Sequence, residues 1–148
     1  MLLNAESLPN KINELSAVIT ANPPDLIVVT ESHCNSLTAD AVISLNGFNL
    51  TRADHTVGRK GGVILFSRSE FPIINIHVTS HPSGSWEGLY CDLLVSKTVS
   101  LRVCCIYRSP GKLTDDAESD FLTFLRESRP ASNTPYLLSG DFNFPNIN

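Results

Sequence analysis

The sequence is short of positive charge. Eleven Lys and Arg stand against fifteen Asp and Glu in 148 residues, a formal net charge of −4. A chain that grips DNA mainly through its phosphates carries a basic patch or stripe, and the one compact basic group here runs from Arg52 to Lys60. The balance argues against tight, non-specific DNA binding by these residues alone. It leaves catalysis open, because a bound metal can supply the local positive charge. Long apolar runs are missing too: none approaches the ~20 residues that span a bilayer, so no membrane partner is expected. Met1-Leu2-Leu3 lacks the basic region and apolar core of a secretory leader, which sets an intracellular location as the expectation. Cys34, Cys91, Cys104 and Cys105 show no C-x-x-C spacing, so buried, reduced thiols are expected rather than zinc ligands or disulfides. The glycines Gly58, Gly61 and Gly62 are not followed by Gly-Lys-Ser/Thr, which excludes a P-loop.

What is present reads as one globular domain. Hydrophobic residues make up 42% and charged residues 18% of the chain, outside the range of disordered sequences. Leu2-Leu3 reads as the tail of a strand that ends at Asn4. Leu8, Ile12, Leu15 and Ile19 recur at helical spacing, with Pro9 in a first turn and Asn22-Pro23-Pro24 as the stop. Asp25 to Glu31 is apolar on both faces, as a central strand covered on both sides would be. Ala39 to Leu45 suggests a short helix. Strands are expected at Phe48–Ala53, Gly62–Ser67, Pro72–Val78, Leu89–Val95 and Val99–Tyr107, separated by turn-forming residues. Asp115 with Glu118 reads as a capping box for a second helix with Ala117, Phe121, Phe124 and Leu125 on its apolar stripe. A last strand from Tyr136 runs into Gly140-Asp141. Strand, helix and strand in quick succession imply an α/β layering.

Several residues stand where chemistry is usually kept, at strand ends. Glu31 follows an apolar run and shares strand parity with Ile27 and Val29. An ionised carboxylate at such an edge needs a cation or solvent. Oxygen ligands alone favour Mg²⁺ or Mn²⁺ over zinc. Asp141 and Asn143 share parity at the end of the last strand, and an Asx-turn is the structural alternative for Asn143. Tyr107 shares a strand face with Val99, Leu101, Val103 and Cys105, as a core tyrosine with its hydroxyl at the rim would. His33, His77 and His81 show no metal-like spacing.

Asn4-Ala5-Glu6-Ser7-Leu8, Thr30-Glu31, Tyr107-Arg108-Ser109-Pro110 and Gly140-Asp141-Phe142-Asn143 occur in an order that resembles the endonuclease/exonuclease/phosphatase superfamily. The likeness points to the apurinic-type endonuclease domain of LINE-type (non-LTR) retrotransposons, and Phe144-Pro145-Asn146-Ile147-Asn148 is similar to that type as well. The resemblance implies a four-layer α/β sandwich of DNase-like fold and metal-dependent hydrolysis of phosphodiesters. It implies Glu31 and Asn4 as metal-site residues, Asp141 as the group that orients or deprotonates water, Asn143 as a phosphate holder and Tyr107 as a phosphate contact followed by Arg108. Arg52-Ala53-Asp54-His55 resembles the family's Arg-x-Asp-Arg, with His55 in place of the second Arg. Arg59 and Lys60 in the following turn stand either as DNA contacts or as a solvated basic loop. Glu6 departs from a position that is basic in many retrotransposon relatives.

The family's last motifs, a metal-site Asp and a Ser-Asp-His, have no counterpart in these residues. The chain is therefore expected to be the N-terminal part of the domain, inactive by itself, with an unpaired strand edge and exposed apolar surface. DNA and a downstream reverse transcriptase are the partners the resemblance implies, and the nucleus is the place of action. A phosphatase or deadenylase branch of the same superfamily, and a remnant without catalysis, are the alternatives.

Overall fold

The computed structural model describes residues 1–58, 60–131 and 133–144. Two four-stranded sheets stack face to face, with helices on both outer faces. The first sheet has the order β1 (Leu2–Asn4), β2 (Leu26–Thr30), β4 (Val63–Arg68), β3 (Phe48–Ala53). The second has the order β5 (Ile73–Ser80), β6 (Trp86–Leu94), β7 (Ser100–Arg108), β8 (Tyr136–Asp141). β1 runs parallel to β2 and β7 parallel to β8, while the other pairs are antiparallel. Each parallel pair is closed by a crossover helix, α1 (Leu8–Ala21) for the first and α3 (Asp115–Glu127) for the second. A short α2 (Asp40–Ile43) precedes β3.

The period-2 alternation of the strands sorts their side chains into three cores. Ile27, Val29, Ile64 and Phe66 face outward onto Leu8, Leu15, Ile19 and Ile43 of the helices. Val28, Val63, Leu65 and Ala53 face inward and meet Leu89, Cys91, Val103, Cys105 and Tyr107 of the second sheet. Cys104 and Ile106 face outward again, onto Ala117, Phe121 and Phe124 of α3. The result is the expected α/β/β/α sandwich. β1 and β2 lie over β8 and β7, so the C-terminal ends of all four parallel-paired strands reach one rim. All four cysteines are buried and free, with Cys104 and Cys105 on opposite faces of β7.

Three local expectations change. α3 is capped by Thr114, whose hydroxyl accepts from the Ala117 amide at 3.3 Å; Asp115 is its first helical residue and offers a charge favourable to the helix N-terminus rather than the cap. The strand expected from Leu89 begins at Trp86, because the pairing with β7 continues through Glu87 and Gly88. The helix expected over Ala39–Leu45 is a single turn. β8 is an outer strand with Leu137 and Leu138 exposed on its two faces.

Candidate functional site

The rim at the ends of β1, β2, β7 and β8 gathers most of the residues singled out above. Asn4 is the last residue of β1, opposite Thr30 in parallel register. Leu3 packs toward α1, so the alternation turns Asn4 to the inter-sheet side. Its Nδ2 donates to Glu31 Oε1 at 2.8 Å, while its Oδ1 accepts from the Glu6 amide at 3.2 Å.

Glu31 corrects the parity expectation. It lies one residue past β2 with φ +50°, a left-handed conformation that ends the alternation. Its carboxylate therefore joins Asn4 on the inter-sheet side instead of following Ile27 and Val29 toward the helices. The segment is held from two directions. The Ser7 amide donates to the Glu31 carbonyl at 3.0 Å, and the Ser32 and His33 amides donate to the Gly62 and Gly61 carbonyls at 3.2 and 2.9 Å.

Tyr107 and Asp141 are register partners at the ends of β7 and β8, both on the inward face. Burial first, then the Glu31 charge, pushes the Tyr107 hydroxyl up to about 12, with Glu87 and Asp141 adding in the same direction. Three carboxylates thus act on one phenol. Among the described residues, no Lys or Arg lies within ion-pair distance of Glu31 or Asp141; His33 Nε2 stands 3.7 Å from Glu31 Oε2. Gly140 allows the close approach of β8, because a Cβ there would collide with the Ile106 carbonyl.

Two expected substrate residues have other occupations. Arg108 follows Tyr107 and so faces the opposite side of β7, where it is buried. Its Nη1 donates to the Asn143 carbonyl at 2.9 Å and its Nη2 to the Gly111 carbonyl at 2.6 Å. The guanidinium also stacks 4.3 Å from the Phe144 ring. Arg108 is a clamp on the loop after β8, not a free phosphate contact. Asn143 closes an Asx-turn that Asp141 forms: its amide donates to Asp141 Oδ1 at 3.2 Å, and its own Nδ2 donates to the Arg108 carbonyl at 2.8 Å. It lies beyond the strand with φ +46°, so strand parity does not govern it. Lys60 is exposed in the loop between β3 and β4. Arg59, and Pro145 to Asn148, lie outside the described residues.

Sequence reasoning missed Glu87. It is fully buried and register-paired with Tyr107, and its carboxylate accepts from the Gly62 amide at 3.0 Å and bonds to His55 Nδ1. Burial pushes the Glu87 carboxyl up, against those two hydrogen bonds. The signal was an acid at the same parity as Leu89 and Cys91, hidden because the strand was expected to start two residues later. His55, which stands in place of the family's second Arg, is turned onto Glu87, and Gly61 leaves no room for a side chain beside its ring. A cleft of about 540 Å³ opens along the neighbouring loops, lined by Glu6, Ser7, Asn10, His33, Asn35 and His55.

The sequence matches the endonuclease/exonuclease/phosphatase family over residues 1–147. The chain belongs to that family. Its fold is shared by solved members of the same architecture. The 3′ phosphatase NExo from Neisseria, bound to a product DNA hairpin, superposes with a TM-score of 0.69 at 19% identity, over 97% of this chain and 56% of that one. The human Nocturnin catalytic domain gives 0.64 at 16% identity, over 95% and 62%. A mannosyl-6-phosphatase from Bacteroides thetaiotaomicron gives 0.67 at 17% identity, over 96% and 64%. The chain thus spans a little over half the length of these structures. No curated protein matches it. Phosphoesterases of the endonuclease/exonuclease/phosphatase family typically depend on a divalent metal.

The donor set at the rim fits such a cation. Glu31 offers a carboxylate and Asn4 an amide oxygen, the hard ligands that Mg²⁺ and Mn²⁺ take. Glu31, Glu87 and Asp141 concentrate negative charge around Tyr107 with no described Lys or Arg to offset it at Glu31 or Asp141. Asn4 turns its Nδ2 toward Glu31 here, so holding a cation with both side chains requires the Asn4 amide to rotate by half a turn.

Proposed function

We propose that residues 1–148 form the N-terminal part of a metal-dependent phosphodiesterase domain that nicks DNA, of the kind that non-LTR retrotransposons carry. The observation that carries this reading is the convergence of Asn4, Glu31, Tyr107 and Asp141, from two sheets, on one rim where, among the described residues, no Lys or Arg pairs with Glu31 or Asp141. In this reading DNA is the substrate, a reverse transcriptase segment lies downstream, and the nucleus is the place of action. The order of the four sequence motifs supports the superfamily, and the run Phe144-Pro145-Asn146-Ile147-Asn148, which resembles the retrotransposon type, supports that branch.

Glu31 and Asn4 would hold the divalent cation, which would supply charge relief to the scissile phosphate. The chain's own residues supply the rest. Asp141 Oδ1 is occupied by the Asn143 amide, which fixes the carboxylate and leaves Oδ2 to accept a proton from the attacking water. Tyr107 keeps its proton far above neutral pH and so donates a hydrogen bond to a non-bridging phosphate oxygen. The Glu87–His55 pair, buried under Tyr107, fixes the glycine turn through Gly62. Arg108 and Asn143 hold the loop that carries Asp141 in place.

Nicking of supercoiled plasmid with Mg²⁺ tests the reading. The chain alone is expected to leave the plasmid closed, since no Ser-Asp-His run occurs in it and a lost acid/base group costs roughly 10²–10⁴ in rate. Appending the downstream half of a family relative restores nicking, and Asp141→Ala abolishes it again. Release of phosphate from monoesters without nicking assigns the chain to the phosphatase branch instead. No hydrolysis of either substrate by the extended protein favours a remnant that has lost catalysis.

A further inference from the structure

The Glu87–His55 pair reaches further than the turn beside it. His55 comes from the loop after β3 and Glu87 from β6, so the pair joins the two sheets. Their side chains meet at 2.5 Å, with 8% and 0% exposed. Glycines of two loops close on the imidazole: a Cβ at Gly61 would collide with its Nδ1, and one at Gly84 with its Cε1. Among the described residues, His55 is the one basic side chain within ion-pair distance of Glu87. A fully buried carboxylate needs such a partner.

From Glu87 a relay of hydrogen bonds runs to the rim. Its Oε2 accepts from the Gly62 amide at 3.0 Å. The Gly62 and Gly61 carbonyls accept in turn from the Ser32 and His33 amides, at 3.2 and 2.9 Å. These two residues follow Glu31, whose φ of +50° brings its carboxylate to Asn4. His33 is left-handed as well, with φ +53°, and non-glycine residues persist in that region only where their surroundings hold them. On the other side, the Gly84 carbonyl accepts from the Ser109 hydroxyl at 3.1 Å, two residues past Tyr107. His55 thus stands between the segment that carries Glu31 and the one that follows Tyr107.

We propose that His55 and Glu87 are positioning residues for cation binding at the rim. They act through the Gly61-Gly62 turn to hold Glu31 in the conformation that meets Asn4. The inference rests on the reading that Glu31 and Asn4 hold the cation. Its demand on residue 55 is chemical: a donor for a buried carboxylate, which His and Arg offer and Leu does not.

Amide exchange and Mn²⁺ binding, measured on the same variants of the 148-residue chain, test it. His55→Leu removes the donor. The double variant His55→Leu/Glu87→Met leaves no buried charge unpaired, so it keeps the fold, yet has nothing to anchor the turn. In both, the Ser32 and His33 amides are expected to exchange faster by about tenfold or more, while those of Phe121 and Phe124 in α3 keep their rates. Mn²⁺ affinity, read from broadening of the Glu31 amide, is expected to fall by about tenfold or more, the usual effect of losing a partner behind a metal ligand. His55→Arg restores both. Wild-type Mn²⁺ affinity or wild-type Ser32 and His33 exchange in the double variant overturns the inference alone, as does a His55→Arg chain as weak as His55→Leu. Absence of broadening at Glu31 in the wild type overturns the cation reading and the inference with it.

Discussion

Asn4 and Glu31, 27 residues apart in sequence, are joined by a 2.8 Å hydrogen bond from the Asn4 amide to the Glu31 carboxylate. The bond exists because β1 and β2 pair in parallel and end together, and because a left-handed turn at Glu31 swings its side chain off the helix-facing side. Replacing Glu31 by Gln keeps the shape and removes the charge, which makes it the cleanest probe of the rim.

The first expected outcome concerns Tyr107. Its hydroxyl is pushed up to about 12 by burial and then by the Glu31 charge. In Glu31→Gln the Tyr107 ring resonances should titrate at lower pH than in the wild type. The native state favours the protonated phenol. That contribution to stability is whole below the ordinary tyrosine value of about 10 and is lost as pH rises from there through about 12. Unchanged titration in the variant would separate Glu31 from Tyr107.

Arg108→Ala tests the clamp. The substitution strips the Asn143 and Gly111 carbonyls of a charged donor, and hydrogen bonds to charged groups are worth about 1.5–3 kcal/mol each. A loss of about 3 kcal/mol in denaturant unfolding is expected, with faster amide exchange at Phe142 and Asn143. A variant of wild-type stability would return Arg108 to the role of substrate contact.

Gly140→Ala is expected to be worse tolerated than most single substitutions. The φ of +148° and the abutting Ile106 carbonyl leave no place for a methyl group, and backbone strain of this kind costs on the order of 1–3 kcal/mol before the collision is counted. Thermal melting compares the two chains. An unchanged melting temperature would mean that β8 can move off β7.

Asp92 predicts the acid limb of stability. The Arg102 guanidinium, and then Asn75, hold its carboxyl below the usual aspartate value, against its burial. The pair's contribution is therefore whole above about pH 4 and is lost as pH falls through the depressed value. Asp92→Ala leaves the half-buried Arg102 without its partner and should cost about 2 kcal/mol at neutral pH. The gap from wild type should narrow in melts below pH 4. A constant gap at all pH values would assign the loss to packing alone.

Much of the architecture was legible because alternation and helical spacing report burial directly. Ile27, Val28 and Val29 read as a strand covered on both sides, and each face found its own core. The rim was legible as a set of residues near strand ends, since Asn4 and Asp141 end β1 and β8 and Tyr107 is the last but one of β7. What escaped was whatever depends on a break in the alternation. Glu31 and Asn143 lie just past strand ends at positive φ, where parity no longer predicts direction. Arg108 was read beside Tyr107 in sequence, although adjacent strand residues face opposite sides. Glu87 depends on a tertiary neighbour, Gly62, that no local pattern announces.

The central claim is that a divalent cation settles at Glu31 and Asn4, and Mn²⁺ relaxation in the isotopically labelled chain tests it most directly. Substoichiometric Mn²⁺ is predicted to broaden the amide signals of Asn4, Glu31 and Asp141 together, and Glu31→Gln is predicted to abolish that broadening. Broadening of the same amides that persists in Glu31→Gln, or no broadening at the rim at all, would contradict the account.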